Sequence, residues 1–177
     1  PAGIKGNKNA VAETIANNVR SKIIKEHLND PAFYDRMSAL LQEILADLKA
    51  ARIDYEEFLK RIATQVVQPL HAGKADDTPA TLDTPGKRAL YSNLKQAQPR
   101  SDHAAGVNDA VGVYEGDGDR ALERALRIHE SVKKRRPHGW RGVHAKEQII
   151  KGALYDVLQD DAEVERLFLI VWAQTEY

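Results

Sequence analysis

The stretch Asn17-Asn-Val-Arg-Ser-Lys-Ile-Ile-Lys-Glu-His-Leu-Asn29-Asp30-Pro31-Ala-Phe-Tyr-Asp-Arg-Met-Ser-Ala-Leu-Leu-Gln-Glu-Ile-Leu45 reads as two amphipathic helices broken at one corner. Asp30 can accept a backbone N–H as an N-cap, and Pro31 suits the first helical position, where its missing N–H costs nothing. Working outward, Val11, Ile15, Val19 and Ile23 recur every four residues and Leu28 follows, which predicts an apolar stripe along a helix from about Asn9 to Leu28. The partner helix carries Phe33, Met37, Leu40, Leu41, Ile44 and Leu48. A third begins at Asp54, places Tyr55, Phe58, Leu59, Ile62 and Val66 on its inner face, and ends before Pro69. Such short connections make the three helices neighbours in an antiparallel bundle.

Beyond His71 the periodicity stops, and Gly73, Asp76, Asp77, Thr78, Pro79, Asp83 and Thr84 mark a linker up to Pro85. Thr84-Pro85 starts a short helix with Ala89, Leu90 and Leu94. Residues 97–118, with Pro99 and four glycines, read as a long irregular loop in which Val111, Val113 and Tyr114 form at most a short strand. Helical spacing returns at Ala121, Leu122, Ala125, Leu126, His129 and Val132, and stops at Pro137-His138-Gly139. It resumes with Ile149, Ile150, Ala153, Leu154, Val157 and Leu158, then again after the Asp160-Asp161 cap with Val164, Leu167, Phe168, Val171 and Trp172. The expected fold is therefore all-α, an irregular multi-helix bundle. It divides into a three-helix part at 1–70, a linker, short helix and loop at 71–118, and a second three-helix part at 119–177, together one composite domain.

The 177 residues suffice to bury roughly 70% of the unfolded surface. The 26 basic and 26 acidic residues cancel, so any attraction for nucleic acid or an anionic membrane has to come from a local patch. Cysteine is absent, which excludes disulfides and thiolate sites and suits a reducing compartment. No apolar run approaches the ~20 residues needed to cross a bilayer, and Pro1-Ala-Gly-Ile-Lys lacks a signal-peptide core, so a cytoplasmic location and no membrane partner are expected. Met37 is the only methionine; an excised initiator and a piece of a longer protein are equally compatible with Pro1.

No phosphate-binding loop, dinucleotide fingerprint, His-Glu-x-x-His or Gly-x-Ser-x-Gly occurs. Gly3, Gly6 and Lys8 have the wrong spacing for a phosphate loop, and no strand precedes them. His129, His138 and His144 flank one turn but lack the spacing and the completing ligands of a metal set. His129 is instead expected to be a hydrogen-bonded core imidazole, His138 a turn residue and His144 a helix start. The acids Glu115, Asp117 and Asp119, and Asp160, Asp161, Glu163 and Glu165, lie at helix starts, where they complement the helix dipole rather than hold a cation. No catalytic residue, metal or cofactor is expected in this chain.

Two features point to partners. The run Lys133, Lys134, Arg135 and Arg136, continued by Arg141 and Lys146 around Trp140, could neutralise phosphates, with Trp140 as a stacking face. The same residues could equally cap a helix C-terminus and anchor a turn, and one patch can do both. The final helix is apolar on nearly every side through Leu167-Phe168-Leu169-Ile170-Val171-Trp172. It is either central to its own domain or presents one face to another subunit, with Phe168 and Trp172 as candidate anchors.

The wording of four stretches resembles the C-terminal helical region of the R subunit of type I restriction-modification enzymes. They are the opening stretch, Thr84-Pro-Gly-Lys-Arg-Ala-Leu-Tyr91, Arg136-Pro-His-Gly-Trp-Arg-Gly142, and Asp160-Asp-Ala-Glu-Val-Glu-Arg-Leu-Phe168. The resemblance covers most of the chain, from about Ala12 to Gln174, with the strings in the same order. It implies a non-catalytic assembly domain that docks the ATP-driven DNA translocase and nuclease onto the methyltransferase and specificity subunits, alongside the other domains of the R subunit. ATP and Mg²⁺ then belong to those other domains, since none of the family's nuclease or ATP-binding motifs has a counterpart here. A DNA-contacting role for residues 133–146 is the alternative. Residues 96–118 look longer than the connection usual in the family, which puts any contact made there in doubt.

Overall fold

A computed structural model describes residues 2–97 and 117–177, and among these every regular element is helical. The strand expected at Val111, Val113 and Tyr114, and Glu115, lie outside the described residues. The chain divides into two compact units, Pro1–Thr81 and Leu82–Tyr177, so the division falls inside the stretch expected as a linker and the short helix belongs to the second unit.

In the first unit α1 (Ala2–Glu26) ends in a 3₁₀ turn, His27–Asn29, and α2 (Pro31–Lys49) begins at the corner foreseen. Asp30 Oδ1 accepts the Phe33 N–H at 3.2 Å, with Pro31 at the first position. Two bonds then pin the corner from outside: the Tyr34 hydroxyl donates to Glu26 Oε2 at 2.6 Å, and His27 Nε2 lies 2.8 Å from Asp35 Oδ1. Burial and the Glu26 carboxylate push the Tyr34 phenol far above its ordinary range and keep it a donor. α2 ends at Ala50, and Ala51 adopts a left-handed conformation, φ 55°, so that the Arg52 N–H closes back on the Asp47 carbonyl at 2.9 Å. That is the position glycine usually fills.

Asp54 caps α3 (Tyr55–Arg61), its carboxylate accepting the Glu57 N–H at 2.8 Å. The helix was expected to end before Pro69, but it continues through a π-helical segment, Ile62–Val67, into α4 (Gln68–Ala72), and stops at Gly73 with φ 61°. Proline inside an α-helix loses a hydrogen bond and collides with the carbonyl four residues back. The wider turn before Pro69, in which the Gln68 N–H reaches the Ala63 carbonyl, relieves that collision without breaking the helix.

Ala12, Ala16 and Ile23 of α1, Phe33, Met37, Leu41, Ile44 and Leu45 of α2, and Phe58, Ile62, Val66 and Leu70 make this core. The stripe read along α1 is rotated: Val11 is 41% exposed and Leu28 75%, while Ala12 and Ala16 are buried. A strict four-residue spacing drifts by about 40° per step around a helix of 3.6 residues per turn, so with Ile23 on the core the start of the series at Val11 leaves the face, while Leu28 lies in the 3₁₀ turn beyond the helix. Leu59 is likewise 38% exposed, whereas Phe58 is fully covered.

In the second unit α5 (Pro85–Ala97) packs on α6 (Asp117–Arg135), α6 on α7 (His144–Leu158), α7 on α8 (Asp161–Ala173), and α8 returns to α5. Leu90, Ile128, Leu154 and Leu167 meet in the core, each fully buried. Asp160 caps α8 through the Glu163 N–H at 3.0 Å. Ile149 faces solvent instead of the core, because Ile150, Ala153 and Leu154 take the inner side of α7.

Phe58→Ala should lower the stability of the first unit by about 3–5 kcal/mol through cavity formation. Leu59→Ala, one residue on, should stay within about 0.5 kcal/mol. Urea unfolding followed by far-UV circular dichroism compares the two, and equal losses would mean that the inner face has been misassigned.

Candidate interaction surfaces

The basic run occupies the last turn of α6 and the following turn, and most of it is spent inside the unit. Arg135 pairs with Asp156 of α7. The Arg136 guanidinium donates to the Glu176 carbonyl at 2.8 Å. Arg141 donates from Nε to the Trp172 carbonyl at 2.9 Å and from Nη2 to the Gln174 carbonyl, which satisfies acceptors left over at the end of α8. Burial, and then the neighbouring Arg136 charge, hold Arg141 below the ordinary guanidinium range. Lys146 Nζ donates to the His138 carbonyl at 2.7 Å, bracing the turn. Lys133 and Lys134 are exposed and, among the described residues, make neither an ion pair nor a hydrogen bond.

Trp140 does not offer a stacking face. It is 2% exposed, its Nε1–H donates to the Tyr177 carbonyl at 2.8 Å, Phe168 meets it edge-on with centroids 6.0 Å apart, and the Arg141 guanidinium lies 4.6 Å over the ring. Gly139 and Gly142, with φ of 58° and 75°, supply the left-handed backbone that turns the chain tightly enough to place it there.

Of the two anchors read on α8, Phe168 is buried between Trp140 and Lys151, whose ammonium lies 4.8 Å from the ring centroid. It is a core residue, unavailable to a partner. Trp172 is 46% exposed and Leu169, three positions before it on the same helix surface, is 69% exposed. Glu165 continues this surface one turn earlier and pairs with Lys151 at 2.6 Å. Leu169 was missed because α8 is apolar all round, and composition then carries no sign of which face is left outside.

The histidines separate as expected. His138 is exposed in the turn, His144 starts α7, and His129 is buried with Nδ1 2.7 Å from the Tyr177 hydroxyl. No group of three or more metal-ligating side chains occurs among the described residues, and no described helix is long and apolar enough to cross a membrane. In comparisons with protein families, with curated proteins and with solved structures, nothing matches this chain.

Burial lowers the His129 pKa from 6.5; Glu176 and Glu130 oppose this, while Lys87 and Lys133 add to it. The folded unit thus favours the neutral imidazole. Above pH 6.5 its contribution is intact, and as pH falls below 6.5 the unfolded chain takes up the proton first and stability declines. Thermal unfolding should therefore shift downward on acidification, and His129→Gln, which stays neutral, should flatten that part of the profile. An unchanged profile in the variant would assign the acid sensitivity to other groups.

Proposed function

We propose that this chain is a non-catalytic assembly domain of a type I restriction enzyme R subunit, docking the translocase and nuclease onto the methyltransferase-specificity core. The observation that carries the reading is the ordered series of four multi-residue strings between about Ala12 and Gln174. Each string occupies a joint of the fold: the capped corner at Asp30, the start of α5, the Trp140 turn, and the cap of α8. Strings of that kind carry the shape of a domain rather than a reaction, which fits a part that positions others. Under this reading ATP and Mg²⁺ act in other domains of the parent subunit, and the protein works in the cytoplasm.

The docking surface is the outward side of α8, where Leu169 and Trp172 stay exposed after the core is complete. Tryptophan is among the side chains most enriched at interface hot spots, and the indole of Trp172 is half in solvent beside Leu169. A second reading, an auxiliary contact with DNA, rests on Lys133 and Lys134, the exposed pair of the basic run. Two neutralised phosphates give only a shallow salt dependence, of slope about −1.8 in log K against log salt.

Trp172→Asp and Leu169→Asp should each weaken capture of the methyltransferase-specificity core by about 2 kcal/mol, roughly 30-fold, without loss of helicity. Lys133→Glu with Lys134→Glu should leave capture unchanged. A pull-down with quantified retention checks both. If the two α8 variants bind normally the docking surface lies elsewhere, and if the unaltered chain captures no core at all the assembly reading fails.

A further inference from the structure

After α8 the segment Gln174–Tyr177 folds back over the second unit, and the way it is held differs from helix packing. Its main chain is gripped by side chains from elsewhere: the Gln174 carbonyl by Arg141, the Glu176 carbonyl by Arg136 at 2.8 Å, and the Tyr177 carbonyl by the Trp140 indole at 2.8 Å. Its side chains enter prepared positions. The Glu176 carboxylate accepts the Thr84 hydroxyl at 3.1 Å, and the Tyr177 hydroxyl meets His129 at 2.7 Å. The Tyr177 ring, 2% exposed, lies where Gly86 leaves room; a Cβ on Gly86 would come within 2.8 Å of Tyr177 Cε2 and run into the Glu176 carboxylate. A cavity of about 460 Å³ adjoins the segment between Arg136, His138, Trp140 and Arg141.

Donors on a fixed frame, carbonyls on a short chain, and a slot for one aromatic ring are the elements by which a protein recognises a peptide. We infer that Gln174–Tyr177 is a displaceable plug, a peptide ligand held by its own domain, and that the slot beneath it accepts an acid-then-tyrosine segment of another polypeptide when the plug leaves. The slot then presents Trp140, Arg136 and Arg141, side-chain types that dominate interface energy. The inference is independent of which complex the domain serves.

The Trp140 indole N–H is the direct reporter, because its acceptor is the Tyr177 carbonyl. In the unaltered chain, hydrogen exchange followed by NMR should show this proton exchanging at least about tenfold faster than the amides of Ile128 and Leu154, through an opening insensitive to low denaturant. Exchange at the rate and with the denaturant dependence of those core amides would make the segment an integral part of the core and overturn the inference. A second measurement uses Tyr177→Ala and a labelled acetyl-Ala-Gln-Thr-Glu-Tyr peptide. Saturable binding to this variant, at least about tenfold tighter than to the unaltered chain and lost when Gly86→Ala is added, supports the slot. Absence of binding to a folded Tyr177→Ala chain refutes it, and so does loss of helicity in that variant, since a plug leaves its frame standing.

Discussion

A buried indole must hide a large apolar surface and still bond its N–H, and the second unit is arranged around that double demand at Trp140. The turn from Arg136 to Gly142 needs two left-handed glycines to bring the ring inside, Phe168 closes on its edge, Arg141 covers its outer face, and the Tyr177 carbonyl takes the proton. Each neighbour is then committed as well. Arg141, once over the ring, finds the open carbonyls at the end of α8, and Arg136 finds Glu176. A stretch that looks like a cationic surface is in large part the fastening of a hydrophobic core.

That reuse of charge fits a chain whose basic and acidic totals are equal. With no excess to project as a field, its guanidinium groups act at short range on carbonyl oxygens and single carboxylates. Arg166 shows the same economy, bonding Glu163 at 2.6 Å and the Asn93 carbonyl at 3.2 Å and so tying α8 to α5. Within the basic run it is the two lysines, Lys133 and Lys134, that are left in solvent, as expected of a compact, strongly hydrated ammonium compared with a planar donor that can serve two acceptors.

Local chemistry was legible in the sequence. The caps at Asp30, Asp54 and Asp160 depend on a carboxylate three residues ahead of a free N–H, a relation written within four residues. The all-α class followed from spacing in the same way. Positions decided by packing were less accessible: Val11, Leu59 and Ile149 stand on helix edges where one residue of rotation separates core from solvent. Phe168 and Trp172 lie in one apolar run, and only the presence of Trp140 settles which of them is covered. The hold on Gln174–Tyr177 was illegible, because its donors sit more than thirty residues away and the segment has no periodicity to announce it.

The π-helical turn at Ile62–Val67 sets the phase of the helix that follows it. A wide turn of this sort is what a regular helix makes of one surplus residue, absorbing an insertion as a local bulge rather than passing the misphasing down the chain. Phe58, Ile62, Val66 and Leu70 stand four apart and are all buried, an alignment that an uninterrupted α-helix would lose by drift. Loss of a single residue between positions 62 and 67 would restore ordinary winding and leave Leu70 on the core face, about 20° from the line of Phe58. It would also return Pro69 to a regular α-helix and restore its collision with the carbonyl four residues back, so the bulge and Pro69 depend on each other.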